Sequence, residues 1–403
     1  MWLCHKTKQG SVVLGIGIKL FQLLIRQKLS GKGLKGKLGT PQIVSYAVTK
    51  ACNLRCLHCH ADAREALPDE LTLKEATQAI DEMAFLGTEA LIFSGGEPLL
   101  RKELVLELAD YCIDVGIIPA MLTNGMLINH KVAWELKDAG IMAVGIPIDS
   151  PESEIHDRLR NVPGTFDKAV RAIRACLDVD LKVVVTTMAL RSNFAEIPRM
   201  IDFISNMGVD QVAIYDLVPN GRGKDMMDEI MLQEQRESLI RYLHTMQEEK
   251  EMVFVFSGGN PLYPEIASEM HRTNGTNPPN LLLKQFWIHA PVGCHAGINY
   301  FSLRPNGDVY PCPFLQIKVG NIRDQSLMDM WHGSGLFKTL RNRSMLKGKC
   351  GECEYREACG GCRGRAYAYS GDYLAEDPVC LRDLMSEENV YPAKVKCFGW
   401  CVG

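Results

Sequence analysis

Three cysteines stand within eight residues in "CNLRCLHCH", at positions 52, 56 and 59. Gaps of three and two residues between them fit three chemistries. A disulfide would use two of the thiols and leave one over. A zinc ion takes four ligands in a tetrahedron, so His58 or His60 would have to complete the set. An iron–sulfur cluster accepts thiolates at short, mixed spacings of this kind. A cubane held by only three thiolates keeps one iron open for another ligand.

More thiols gather toward the C-terminus. "CHAGINYFSLRPNGDVYPC" runs from Cys294 to Cys312, with Gly307 in a hairpin turn between β-rich runs. "CGECEYREACGGC" adds Cys350, Cys353, Cys359 and Cys362, and Cys380 follows. Two CxxC pairs are also the usual pattern of a zinc ribbon. Cys4, Cys112 and Cys176 sit on apolar helical or terminal stretches and read as inert thiols. Among the 403 residues, 15 are cysteine, yet no stretch reads as a secretory signal with a small-residue cleavage site. The expected location is therefore the reducing cytoplasm, where clustered thiols hold metal rather than pair with one another. The disulfide reading falls first.

A net charge of −3 gives no case for a nucleic-acid partner. Charge is uneven, however. No acidic residue precedes Asp62, whereas Lys6, Lys8, Lys19, Arg26, Lys28, Lys32, Lys35 and Lys37 flank the apolar "VVLGIGIKLFQLLI". Lys19 interrupts that run, which is too short for a membrane span. As a basic amphipathic helix it could lie on a membrane surface or dock on its own domain, so peripheral membrane contact is one expectation.

The elements that must position the first cysteine group begin at residue 42. Short β-rich runs recur at 43–49, 90–95, 117–122, 142–148, 182–188 and 211–217. Helix-period stretches alternate with them over Leu73–Leu86, Lys102–Val115, His130–Ala139, Phe166–Leu177 and Ile197–Met207. Such alternation predicts an α/β fold with a parallel sheet, and six units suit a partial (β/α)6 barrel rather than a closed one. Chemistry in these folds gathers at the C-terminal ends of the strands, where the cysteine triplet follows the first strand. The expected organisation is a basic extension (1–41), the partial barrel (42–222), a helical and loop connection (223–285), a cysteine-rich domain (286–385) and a tail (386–403).

With its neighbours, "CNLRCLHC" resembles the CxxxCxxC signature of the radical S-adenosylmethionine (AdoMet) superfamily. "SGGEPLL" after the second strand is similar to that family's GGEP motif, "LTNG" follows the third strand and "IPIDS" ends the fourth. The resemblance spans roughly residues 42 to 220. It implies that Cys52, Cys56 and Cys59 ligate a [4Fe–4S] cluster whose open iron chelates AdoMet. Gly95, Gly96, Glu97 and Pro98 would present backbone groups and a carboxylate to the AdoMet amino group. Thr123 and Asn124 would face the cofactor, Asp149 would reach the ribose hydroxyls, and His58 would pack on adenine. Ser150 stands where the family more often has glycine.

The C-terminal pattern resembles the SPASM extension of the same superfamily, which carries auxiliary iron–sulfur clusters. By resemblance, Cys350, Cys353, Cys359 and Cys380 hold one auxiliary [4Fe–4S] cluster, and Cys294, Cys312 and Cys362 contribute to a second. One or two auxiliary clusters are thus implied, the second lacking an assigned fourth ligand, which Cys397 or Cys401 of the tail "CFGWCVG" could supply. The gap from Cys359 to Cys362 is two residues, where three is common in the pattern.

The implied activity is reductive cleavage of AdoMet to a 5′-deoxyadenosyl radical, followed by oxidation of a substrate. Ferredoxin or flavodoxin is the implied type of electron donor. "RNVPGTFDKAVRAI", "YDLVPNGRG", "YPCPFLQIKVGNIRD" and "GGCRGRAYAYSGDYLAEDP" resemble the haem-pathway branch, with its AdoMet-dependent haem synthases and haem d1 and sirohaem-branch enzymes. That branch implies an iron tetrapyrrole substrate and an outcome such as propionate decarboxylation. The alternative is a peptide-modifying maturase that forges thioether or carbon–carbon crosslinks, and a non-catalytic iron–sulfur electron carrier is a third reading. Propionates call for arginines, whose guanidinium pairs bidentately with carboxylates; Arg158, Arg160, Arg191 and Arg222 are the candidates. His289 and His295 are candidates for axial contact with iron.

Overall fold

The computed structural model describes residues 39–250, 252–257 and 293–381. Cys4, the basic N-terminal run, His289, Cys397 and Cys401 lie outside these residues.

Seven strands run parallel: β1 (Ile43–Thr49), β2 (Ala90–Gly95), β3 (Ile118–Leu122), β4 (Ala143–Pro147), β5 (Lys182–Ala189), β6 (Gln211–Asp216) and β7 (Val253–Ser257). The expected partial barrel is borne out, with each of its six strands found within two residues of the expected bounds. On the free edge of β1 the sheet continues through β8 (Tyr300–Leu303), parallel to β1, and then antiparallel through β9 (Asp308–Tyr310) and β10 (Gly320–Asn321). The full order is β10-β9-β8-β1-β2-β3-β4-β5-β6-β7, an open sheet. The barrel and the cysteine-rich segment therefore share backbone hydrogen bonds.

Helices alternate with the strands because their apolar stripes need the outer face of the sheet. The first, α1 (Leu73–Phe85), buries Ala76, Ala79, Ile80 and Met83. It starts with a reciprocal capping box: the Glu75 amide donates to Thr72 Oγ1, and the Thr72 amide donates to Glu75 Oε2 at 2.9 Å. Glu75 also pairs at 2.7 Å with Arg323 of the cysteine-rich segment. Along β5 the residues alternate, with Val183, Val185, Thr187 and Ala189 buried under helices. Val184, Thr186 and Met188 lie on the inner face and are only partly covered.

Between β4 and β5 stands a short helix that periodicity did not indicate, α2 (Ser153–Arg160), which ends in a left-handed Asn161 with φ 56°. One apolar core joins the two halves of the sheet. Val44, Tyr46 and Val48 of β1 belong to the same buried cluster as Phe301 and Leu303 of β8. Phe301 meets the Trp331 ring at 6.0 Å between centroids, and Trp331 meets Phe337 at 5.0 Å.

Candidate functional site

The chain leaves β1 at Thr49, whose hydroxyl donates to Glu70 Oε1 at 2.9 Å, and turns into the cysteine loop. Arg222, from the segment after β6, clamps this loop. Its Nε donates to the Cys56 carbonyl at 2.7 Å, its Nη1 to Asp62 Oδ1 at 2.8 Å, and its amide to the Cys59 carbonyl at 3.0 Å. Arg222, expected as a substrate-carboxylate partner, thus commits its Nε and Nη1 to the loop. The Leu54 amide donates to Cys52 Sγ at 3.4 Å. Burial pushes the free Cys52 thiol up to about 11 and raises Cys56 as well, an effect that the nearby Arg160 guanidinium opposes at Cys56.

The GGEP residues serve this loop as scaffold. The Gly96 amide donates to the Thr49 carbonyl and the Glu97 amide to the Ala51 carbonyl, each at 2.7 Å. A Cβ on Gly96 would lie 1.9 Å from the Ala51 carbonyl oxygen, so only glycine permits the approach. Glu97, expected to meet the AdoMet amino group, is fully buried. Its carboxylate accepts from the Leu99 amide, from Thr123 Oγ1 at 2.7 Å and from the Asn124 amide at 2.8 Å. Burial raises its pKa and these donors oppose the rise. Pro98 opens the short 3-10 turn over Pro98–Arg101. Glu97 thus fixes Thr123 and Asn124, and Asn124 Nδ2 reaches Asn53 Oδ1 at 2.7 Å and Cys52 Sγ at 3.9 Å. The second and third motifs converge on the first.

At the end of β4, Asp149 is fully buried and paired bidentately with Arg160 of α2, Nε to Oδ2 at 2.7 Å and Nη2 to Oδ1 at 2.9 Å. It also accepts the Met188 amide at 3.0 Å. Although burial opposes it, Arg160 and neighbouring His156 hold the carboxyl down at about 2. Asp149, expected at the ribose, and Arg160, expected at a propionate, are here partners of each other. His156 accepts the Asp149 amide at its Nδ1 at 3.1 Å, so that nitrogen carries no proton. His58 is buried, its Nδ1 has no hydrogen-bond partner among the described residues, and burial pulls its pKa to about 3. Arg158 and Arg191 are exposed. His295 is half-buried, with an Nδ1 that has no hydrogen-bond partner among the described residues.

A different arginine, which sequence reasoning missed, occupies the junction between the two cysteine regions. Arg304 directly follows β8 and is half-buried; its Nη2 donates to the Pro313 carbonyl at 3.1 Å and Gln316 Oε1 at 3.2 Å. Its guanidinium lies 4.8 Å from the Tyr310 ring centroid, and no carboxylate among the described residues forms an ion pair with it. Nearby, His60 of the first cysteine loop meets Phe314 of the Cys312 loop at 4.9 Å between ring centroids. The cue in the sequence was its place between "YFSL" and "PNGDVYPC", at a strand end.

In the cysteine-rich segment, N–H groups point at sulfurs. The Leu315 amide donates to Cys312 at 3.2 Å, Gly361 to Cys359 at 3.1 Å, Asp377 to Cys350 at 3.3 Å and Arg365 to Cys362 at 3.4 Å. Donors of this kind stabilise anionic thiolates and tune clusters. Beside burial, the sulfurs of Cys294 and Cys362 help to raise the Cys312 thiol, and that of Cys350 helps to raise Cys359. Among the described residues no three His, Cys, Asp or Glu side chains converge on a single-ion site. The donor set fits iron–sulfur clusters.

The family model of the radical SAM superfamily matches residues 46–204, and that of the SPASM iron–sulfur cluster-binding domain matches residues 294–363. AdoMet-dependent heme synthase of Methanosarcina barkeri is 34% identical over 343 residues, covering 85% of this chain and 96% of that protein. The enzyme of the same name from Oleidesulfovibrio alaskensis is 32% identical over 348 residues, 85% and 88% of the two chains. Among solved structures, Streptococcus suis SuiB bound to precursor peptide SuiA matches with a TM-score of 0.68 at 18% identity, over 94% of this chain and 84% of that one. That likeness is one of fold. The chain belongs to the radical SAM superfamily. It is an enzyme that uses AdoMet with a [4Fe–4S] cluster, and its SPASM domain implies auxiliary iron–sulfur clusters. No helix among the described residues is long and apolar enough to cross a membrane.

Proposed function

We propose that the substrate is an iron tetrapyrrole and that the enzyme removes carbon dioxide oxidatively from its propionate side chains. The observation that carries this reading is the match with AdoMet-dependent heme synthase, 34% identical along 96% of that protein. The peptide-modifying alternative has relatives at lower identity, PqqA peptide cyclase of Bradyrhizobium diazoefficiens at 27% among them.

Cys52, Cys56 and Cys59 would hold the AdoMet cluster. Cys350, Cys353, Cys359 and Cys380 would hold one auxiliary cluster, and Cys294, Cys312 and Cys362 would hold another. With AdoMet and an electron from a donor protein, the first cluster would supply a hydrogen-abstracting 5′-deoxyadenosyl radical, and the auxiliary clusters an electron acceptor. The net change on each propionate is loss of a hydrogen atom, carbon dioxide and one electron, leaving a vinyl group.

The chain's own residues position and shield. Glu97 locks Thr123 and Asn124 against the cysteine loop. Arg304, without a carboxylate partner among the described residues and beside His60, is the proposed anchor for a propionate. We assign electron delivery to a ferredoxin or flavodoxin and location to the cytoplasm, with any peripheral membrane contact made through the basic N-terminal run.

Titration of the holoenzyme with iron-coproporphyrin tests the substrate class. Binding should shift the Soret band. No shift with any tetrapyrrole, together with turnover of a cysteine-containing peptide, would replace this reading by the peptide one.

A further inference from the structure

The dipeptide between Cys359 and Cys362 is Gly360–Gly361, and both glycines adopt positive φ, 64° and 56°. The space their side chains would take is filled by charge. A Cβ on Gly360 would lie 1.1 Å from Arg343 Nη1, and one on Gly361 would lie 2.6 Å from Arg363 Nη2. Both arginines are deeply buried, 5% and 3% exposed. Arg363 Nη2 donates to Cys350 Sγ at 3.5 Å, and its Nη1 donates to the Tyr373 carbonyl at 3.0 Å. Arg343 Nη2 donates to the Cys294 carbonyl at 2.6 Å, and its Nη1 has no hydrogen-bond partner among the described residues.

Neither guanidinium forms an ion pair with a carboxylate among the described residues. Glu357 pairs with Arg356 at 3.1 Å and Asp372 with Lys347 at 2.6 Å. Their neighbour Arg365 shows the contrast: it is paired bidentately with Asp377, both contacts at 2.7 Å. Two buried cations without counter-ions would be strongly destabilising, since burial strips each charge of its hydration. The negative groups that act on Arg343 are the sulfurs of Cys294 and Cys359 and, less strongly, the Glu357 carboxylate.

We infer that Arg343 and Arg363 are the counter-charges of the auxiliary clusters and raise those clusters' reduction potentials, which suits them to accept an electron. A positive charge at short range stabilises the reduced, more negative cluster over the oxidised one. The two glycines are the device that lets the guanidiniums in. The inference rests on the auxiliary ligand sets proposed above.

The test is potentiometric titration of the reconstituted full chain, followed by electron paramagnetic resonance, for wild type and the Arg343→Gln, Arg363→Gln, Arg343→Lys and Arg363→Lys variants. Each Gln variant should shift an auxiliary couple negative by tenfold or more in the reduced-to-oxidised ratio at fixed potential, about 59 mV for one electron. The AdoMet cluster should keep its potential, and the Lys variants should stay close to wild type. Gln variants that load no auxiliary iron, beside Lys variants that load it normally, would also support the charge role. Wild-type potentials in both Gln variants, or Lys variants that behave as the Gln ones do, would overturn it while leaving the ligand sets intact. Wild-type protein with iron for the AdoMet cluster alone would overturn both.

Discussion

Asp149 shows what a residue's type can and cannot announce. A carboxylate at the end of β4 was legible in "IPIDS", but its partner comes from α2, eleven residues on, and only the fold brings Arg160 against it. His156 completes this buried group, with its Nδ1 fixed as an acceptor. Burial lowers its pKa to about 4, the Asp149 charge opposing this. The sign follows from linkage. The unfolded chain takes up a proton near pH 6.5 while the folded one resists until about 4, so stability falls as pH drops through that window. Each unit of depression is worth about 1.4 kcal/mol. Thermal melts of the apoprotein from pH 7 to 4 should show a falling Tm, and His156→Gln should flatten that slope; an unchanged slope would remove His156 as its cause. At Arg304, the Met substitution should raise KM for the tetrapyrrole on the order of tenfold or more, as loss of one charged hydrogen bond implies. AdoMet cleavage without substrate should stay as it was. An unaltered KM would leave the propionate without its anchor.

At the scale of elements, strand alternation and the motifs after each strand made the barrel readable, because parallel βαβ units are local in sequence. The reading was less complete for what the motifs do. Gly95, Gly96 and Glu97 suggested direct cofactor contact; the structure adds that Gly96 and Glu97 tie β2 to the cysteine loop, and Glu97 to the turn after β3. Burial of Glu97 is a tertiary fact that spacing does not carry. Glu97→Gln tests it: an amide NH2 replaces one acceptor and would face either the Asn124 amide or the Thr123 side. Expected are near-normal iron loading and a loss of AdoMet cleavage on the order of 100-fold, about 2.7 kcal/mol of misplacement. Iron analysis and 5′-deoxyadenosine release, measured on one preparation, separate the two effects. Gly96→Ala should be harsher and prevent cluster assembly, because its Cβ would occupy the Ala51 carbonyl position.

For the whole molecule, the segment after residue 293 reads in sequence as a domain apart, yet β8 extends the barrel sheet. Pairing across more than 250 residues leaves no periodic trace. Ser45 Oγ donates to Ser302 Oγ at 3.0 Å across this seam, and Phe301, 1% exposed, packs on Trp331 behind it. Phe301→Ala should therefore cost ~3–5 kcal/mol and lower the barrel's melting transition along with that of the cysteine-rich segment. Two separate transitions, with only one moved, would argue for independent halves. The substrate claim is tested most directly by anaerobic incubation of the reconstituted enzyme with AdoMet, dithionite and iron-coproporphyrin, followed by mass spectrometry of the porphyrin. The expected product has lost carbon dioxide and two hydrogens per propionate converted, with 5′-deoxyadenosine formed alongside. An unchanged porphyrin, with 5′-deoxyadenosine released only when a peptide is supplied, would contradict it.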